Sequence, residues 1–229
     1  MLLAIETSGV SGSVALWRDD CVVARSDLET EGRRHAQTLV ADIDRLLKSA
    51  AIAARDLTAV AVSIGPGSFT GLRVGLTCAK TLAWLHGIPL LAVDTLRVVA
   101  QQAPVENPVV TACIDAQRGE LFVASYELPG GADIRQALTV IRIVSATALP
   151  LDVPLIGPGL ERHREQLELS HALLPAAIGV PHAATVAAIG NQMLIRGEVS
   201  DPDTLEPVYV RLSYAEEKRS PVSQVPTSG

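Results

Sequence analysis

The chain has 229 residues, 48% hydrophobic and 19% charged, which fits one large domain or two small ones built on an aliphatic core. Its net charge of −6 argues against an autonomous nucleic-acid-binding protein, which usually carries a basic face. No apolar run approaches the roughly 20 residues of a membrane span, and the first residues lack the pattern of a signal peptide.

Short apolar runs between polar turns predict a meander of strands at the start of the chain. These strands are expected at residues 2–5, 13–17 and 21–25. A helix is expected at 35–51, because apolar residues recur there with helical spacing and place Leu39, Ile43 and Leu46 on one face. The cysteines lie far apart, each within an apolar run, and predict reduced core thiols of a cytoplasmic protein. They are Cys21, Cys78 and Cys113.

A glycine-rich motif, GPGSFTGLRVG at residues 65–75, joins a predicted strand at 58–64 to a helix that ends near Gly87. A phosphate-binding P-loop needs a lysine after its last glycine, and this motif has none. A dinucleotide-binding turn needs its third glycine one residue earlier. A serine nucleophile needs a glycine two residues before it, so Ser68 or Thr70 is better explained as the residue that caps the helix.

Small residues recur every four positions along the helix that follows the motif. Gly71, Gly75, Ala79 and Ala83 form a ridge that would let another backbone approach closely. The helix also has few charges, with only Arg73 and Lys80 between residues 69 and 85. This pattern indicates either a helix that a partner covers or a central helix of a single domain, and periodicity favours neither.

A dinucleotide-binding half-domain is a competing interpretation of the same region. After the glycines, a strand at 88–93 leads to Asp94, which could bind a ribose. Tyr214 and Lys218 have the spacing of a dehydrogenase pair. They lie in a polar tail, however, whereas that chemistry needs them on a packed helix.

The second half of the chain repeats the pattern of the first. A strand at 109–114 ends at Asp115 and a return strand follows at 121–126, as the first strand ends at Glu6. A duplicated unit of this kind predicts an α/β, two-lobed actin-like (ASKHA) fold in which each lobe is a mixed sheet flanked by helices. We expect lobes at 1–104 and 105–229, strands at 137–144 and 154–156, and helices at 160–169 and 183–195, with helix 183–195 packing back on the first lobe.

Actin-like proteins place acidic residues at strand ends and hold phosphate with hairpin amides. Here the corresponding residues are Glu6, Thr7, Ser8 and Asp115. The Thr-Ser turn and the longer glutamate predict a degenerate nucleotide site. The five histidines lack metal-ligand spacing, so no metal site is expected on this chain.

The glycine motif resembles the signature of the TsaB family, whose members serve bacterial tRNA threonylcarbamoyladenosine biosynthesis. Further matches are the opening LAIETS at residues 3–8, DAQRGE at 115–120, GIPL at 87–90 and PVYVR at 207–211. The family usually has aspartate where this chain has Glu6. The resemblance implies the two-lobed actin-like fold and a subunit that dimerises with TsaD, which transfers threonylcarbamoyl to adenosine 37 of tRNAs reading codons that begin with A.

The resemblance also implies which subunits bind metal, nucleotide and tRNA. TsaD binds metal through paired histidines on its first long helix, whereas the matching helix here carries His35 alone. ATP or ADP and metal are therefore expected on partner subunits, including the ATPase TsaE, and tRNA contacts are expected to be indirect. Homodimers are expected to use the TsaD-binding face. The implied partner-binding residues are His35, Leu39, Ile43, Leu46, Ser68, Phe69, Gly71, Leu72, Gly75, Ala79 and Ala83.

Two hypotheses of different classes remain at this stage. The first is a non-catalytic scaffold that docks on TsaD through helices 35–51 and 68–86. The second is an independent enzyme of the actin-like or glycoprotease type, which would hydrolyse a nucleotide or a peptide and would depend on Glu6 or Ser68.

Overall fold

The computed structural model describes residues 1–28 and 38–210 with their side chains, and residues 35–37 as backbone. Its first sheet has the strand order β3-β2-β1-β4-β5, in which β1 to β3 are antiparallel and β1, β4 and β5 are parallel. The N-terminal meander is therefore confirmed. The strands are β1 Leu2–Glu6, β2 Ser13–Arg18, β3 Cys21–Asp27, β4 Ala59–Ser63 and β5 Leu90–Val93.

A second sheet repeats part of the first, in the opposite direction of listing. Its strand order is β10-β6-β7-β8, with β9 also pairing with β7. The hairpin β6-β7 corresponds to β1-β2, and β10 lies parallel to β6 as β4 lies parallel to β1. These strands are β6 Val109–Gln117, β7 Glu120–Glu127, β8 Gln136–Ala137, β9 Arg142–Ser145 and β10 Leu155–Ile156. The predicted α/β actin-like fold with two mixed sheets is confirmed.

Helices flank the first sheet on both faces. In the described part of the chain the α-helices are α1 His35–Ser49, α2 Phe69–His86, α3 Thr95–Gln101, α4 Arg164–Leu167 and α5 Ala183–Ile195. Side chains alternate across β1, so Leu3 and Ile5 pack with α1 and α2, whereas Leu2 and Ala4 pack with α5. Helix α5 thus returns from the second half of the chain to the first sheet. No helix among the described residues is long and apolar enough to cross a membrane.

Helix α3 was not predicted, and it joins the two sheets. Asp94 caps it by accepting a hydrogen bond from the amide of Leu96 at 2.8 Å, and it also accepts one from the hydroxyl of Tyr126 on β7. Burial raises the pKa of the Asp94 carboxyl, although both of these hydrogen bonds oppose the rise. Asp94 is therefore a structural cap that contacts the second sheet, and the ribose-binding interpretation of this residue is wrong. Tyr214 and Lys218 lie outside the described residues.

A buried arginine holds the turn that leads from α3 to β6. The side chain of Arg135 is 1% exposed, and its guanidinium donates to the carbonyls of Ala103, Pro104, Asn107 and Pro108 at 2.8–3.3 Å. These carbonyls follow the C-terminus of α3, where the helix dipole favours a positive charge. The cation is thus stabilised by backbone carbonyls at the junction of the two sheets.

Arg135→Met should therefore lower the free energy of unfolding by about 3 kcal/mol, because it leaves buried carbonyls without their donors. Urea denaturation of the two proteins would measure the difference. Arg142→Met, an identical change at an exposed arginine of β9, should alter stability by about 0.5 kcal/mol or less. A loss below about 1 kcal/mol for Arg135→Met would show that water replaces the guanidinium.

Candidate partner-binding face

The glycine motif packs against the turn that follows β1 in the same chain. A Cβ atom at Gly71 would lie 2.0 Å from the carbonyl oxygen of Thr7, and one at Gly67 would lie 2.4 Å from that of Ser8. The hydroxyl of Thr7 donates to the Gly71 carbonyl at 2.8 Å, and the amide of Ser68 donates to the Ser8 carbonyl at 2.7 Å. Close approach to this turn is therefore the physical reason for these glycines.

The ridge of small residues consequently faces inward, and its assignment to a partner surface is wrong. Gly71, Leu72, Gly75, Ala79 and Ala83 are all buried in α2 against the first sheet. The predicted apolar face of α1 is corrected in the same way, since Leu39, Ile43 and Leu46 belong to the same core. Both helices use these residues to cover the sheet, so a partner can reach only their opposite sides.

Two predicted residues at the start of α2 do lie on the surface. Phe69 is 40% exposed, and Ser68 is exposed while its hydroxyl oxygen accepts a hydrogen bond from the amide of Gly71 at 3.2 Å. Ser68 is therefore the residue that caps the helix, and Thr70, the other predicted candidate, is not. Helix α1 begins at His35, whose side chain lies outside the described residues.

The outer faces of α1 and α2 carry large exposed apolar side chains. Val40 on α1 is 72% exposed, and Trp84 and Leu85 in the last turn of α2 are 76% and 64% exposed. We call this surface the outer face; its exposed residues are Val40, Ala41, Asp44, Arg45, Lys48, Phe69, Thr70, Arg73, Thr77, Thr81, Trp84 and Leu85. Sequence reasoning missed Val40 and Trp84, although the helical period places both opposite the buried residues.

A cluster of aromatic rings and one guanidinium lies at the first turn of α2. The guanidinium carbon of Arg73 is 4.0 Å from the ring centre of Phe69, and its Nε donates to the hydroxyl of Tyr209 at 2.9 Å. The rings of Phe69 and Tyr209 are 5.1 Å apart. Tyr209 belongs to the PVYVR motif, so the structure brings this late motif next to the glycine motif.

The predicted nucleotide residues occupy two different environments. Glu6 is fully buried at the end of β1, where its Oε1 accepts hydrogen bonds from the amide and the hydroxyl of Ser8. Glu6 is therefore enclosed by the protein, although its position at a strand end is typical of a solvated turn residue. Asp115 is half-buried in β6 and lies 3.3 Å from Arg162. Within the described part of the chain, no cluster of three or more potential metal ligands occurs.

The cysteines are free, but they are not all core residues. Cys113 is fully buried and Cys78 half-buried, and burial raises their pKa values to about 12 and about 11. Cys21 is exposed at the start of β3, which corrects its expected place in the core.

At pH 8 we expect a disulfide reagent such as DTNB to react first with Cys21, because buried thiols stay protonated. Cys21→Ser should remove the fast phase, and a fast phase that persists would contradict this order.

Comparisons with known proteins agree with this geometry. The family model of TsaD, tRNA N6-adenosine threonylcarbamoyltransferase, matches residues 29–205. Proteins named tRNA threonylcarbamoyladenosine biosynthesis protein TsaB are 30% identical over 227 residues in Bacillus subtilis and 31% identical over 226 residues in Escherichia coli. These alignments cover 95% of this chain and 96% and 97% of the relatives.

A solved structure gives the same result for the fold. A Pseudomonas aeruginosa protein described as similar to peptidase YeaZ superposes with a TM-score of 0.81 and 28% identity. The superposition covers 92% of this chain and 99% of that chain. With near-complete coverage by two TsaB relatives and the predicted glycine motif in place, the chain belongs to the TsaB family.

Proposed function

We propose that this chain is the non-catalytic partner subunit that dimerises with TsaD to install threonylcarbamoyl on N6 of adenosine 37 in tRNAs. Its membership of the TsaB family and its match to the TsaD family model support a role in tRNA threonylcarbamoyladenosine biosynthesis. The observation that carries the proposal is the outer face, where Trp84 and Val40 are more than 70% exposed on neighbouring helices. Exposed aromatic and aliphatic anchors on a folded surface are typical of protein interfaces.

The surroundings of the degenerate site support the placement of nucleotide and metal on the partner subunits. The amide of Ser8 donates to Glu6 Oε1 at 2.6 Å, so this hairpin amide already has an acceptor inside the protein. The carboxylate of Asp115 likewise lies beside Arg162 and accepts a hydrogen bond from the amide of Gln117 at 2.7 Å. With a net charge of −6, the chain leaves most of the tRNA contacts to its partners.

Two further associations belong to the same proposal. A second copy of the chain uses the outer face when TsaD is absent, so the homodimer and the TsaD complex exclude each other. TsaE then joins the pair formed with TsaD. Competition between self-association and TsaD binding follows, because one surface serves both.

For the alternative, an independent hydrolase, we consider a cavity at the start of β2. It measures about 270 Å3 and is lined by Ser11, Ser13, Asp27 and His182, among others. The Ser13 hydroxyl accepts a hydrogen bond from the amide of Ala183 at 2.9 Å. Among the described residues no hydrogen bond joins His182 to a serine or to Asp27, so a nucleophile–base pair is not assembled there.

Reconstitution with purified TsaD tests the proposal. We expect a one-to-one complex by size-exclusion chromatography with light scattering, and tRNA modification that requires this chain. The isolated chain should turn over neither ATP nor peptides. Absence of a complex, or modification that proceeds equally well without the chain, would refute the partner role. Turnover by the isolated chain that is lost in Glu6→Gln or Ser13→Ala would support the hydrolase instead.

A further inference from the structure

The segment after α5 runs across α2 as a strap, which we define as residues 205–210. The carbonyl of Leu205 accepts a hydrogen bond from Lys80 at 3.1 Å, and the hydroxyl of Tyr209 accepts one from Arg73 at 2.9 Å. The strap therefore runs antiparallel to α2, from its fourth turn back to its first. Between these points the amide of Val208 donates to the carbonyl of Ile64 at 2.8 Å, which fixes the strap to the end of β4.

The strap fixes the orientation of Arg73. The Arg73 guanidinium lies over the Phe69 ring, and its Nε–H donates a hydrogen bond to the hydroxyl of Tyr209. In the part of the chain that the structure describes, its two terminal NH2 groups donate to no acceptor. A guanidinium held by stacking and by one hydrogen bond loses little conformational freedom when a ligand binds its remaining donors. Arg73 is therefore preorganised for an external acceptor.

Arg73 also differs from the neighbouring charges of the outer face. On α1, Lys48 lies 2.6 Å from Asp44, and Arg45 contacts Asp42, so each cation has a carboxylate on its own helix. Within residues 1–28 and 38–210, no carboxylate lies within 4.0 Å of Arg73. In an acidic chain, this exposed cation on the same helix as Trp84 is complementary to a negative group on whatever covers the face.

We propose that Arg73 binds a carboxylate of TsaD and gives the outer face its specificity, while Phe69 and Tyr209 position it. The inference rests on the proposed function, since it names the chemistry that the docking partner must supply. A planar guanidinium forms paired hydrogen bonds with a carboxylate, and arginine and tyrosine are common among interface residues that dominate affinity. The PVYVR motif thereby acquires a role through Tyr209.

Binding of TsaD to four forms of the full chain tests this proposal by isothermal titration calorimetry at low and high salt. Arg73→Met keeps an apolar stem over Phe69 and should raise the dissociation constant about tenfold to thirtyfold, with a weaker salt dependence. Tyr209→Phe keeps the ring and should raise it about threefold to fivefold. Arg142→Met on the second sheet is the matched control and should bind like the unaltered chain.

The outcomes separate the possible sources of an effect. An unchanged dissociation constant for Arg73→Met, or a loss that is equally large at both salt concentrations, would overturn the proposal. Weaker self-association with unchanged TsaD binding would assign the carboxylate to a second copy, and would overturn it too. If Arg73→Met lowers the melting temperature, Arg73→Lys keeps the charge and should still lose affinity. Failure of the unaltered chain to bind TsaD would refute the partner role itself.

Discussion

Trp84→Ala should raise the dissociation constant for TsaD about 100-fold, while the protein keeps its fold. Trp84 is 76% exposed in the last turn of α2, so its ring contributes little to the monomer's core. Covering such a ring at an interface removes a large apolar area from water, and tryptophan is prominent among residues that dominate binding. The expected loss is therefore a loss of contact with the partner.

The fold of the variant is checked by its melting temperature, which should change by about 2 °C or less. Leu169→Ala removes a side chain that is 88% exposed after α4, away from the outer face, and should leave TsaD binding unchanged. If Trp84→Ala binds TsaD as tightly as the unaltered chain, the contact lies elsewhere on the surface. If Leu169→Ala weakens binding equally, exposure alone does not identify the interface.

Most elements could be predicted because their signals are local. The period of α1, the glycine stop of α2 at Gly87 and the short apolar run of β1 follow from residues within a few positions of one another. Helix α5 was predicted with the bounds that the structure has. The predicted helix at 160–169 forms instead a 3-10 helix at Pro158–His163 followed by the single turn of α4.

The element that packs on a helix could not be predicted. The helical period shows which residues lie on the same face, but it does not show what that face contacts. The ridge of Gly71 and Gly75 was consistent with a partner or with the chain's own sheet, and the decisive contact is with Thr7, more than 60 residues away. Burial of Glu6 was hidden for the same reason. Its position at a strand end indicates a turn, whereas the approach of Gly67 and Gly71 that encloses this turn comes from distant sequence.

Helix α3 was missed because it is short and its cap had another interpretation. It spans seven residues, too few for a clear helical period. Asp94 stands where a ribose-binding acid would stand after a strand, and the same residue type caps helices. Only the contacts with Leu96 and Tyr126 distinguish the two roles.

Because the ridge of small residues faces the core, changes to it should affect the stability of the fold and not the binding of a partner. Gly71→Ala should lower the free energy of unfolding by about 2–4 kcal/mol, because its Cβ would meet a backbone oxygen at 2.0 Å. Alanine's higher helix propensity, worth about 1 kcal/mol, does not offset this clash. Urea denaturation measures the change, and Gly130→Ala, where a Cβ meets no atom within 4 Å, should cost about 0.5 kcal/mol or less.

Thr7→Ala separates the two glycines of the ridge. A Cβ at Gly75 would lie 2.2 Å from the Thr7 hydroxyl oxygen, which belongs to a side chain, whereas a Cβ at Gly71 meets the Thr7 backbone. In a double-mutant cycle, Thr7→Ala should therefore recover about 1 kcal/mol or more of the loss caused by Gly75→Ala and none of that caused by Gly71→Ala. Equal behaviour of the two glycines would mean that α2 shifts as a whole away from β1. Selective rescue would establish that the ridge packs directly on the turn after β1, because only a direct contact with the Thr7 side chain gives that pattern.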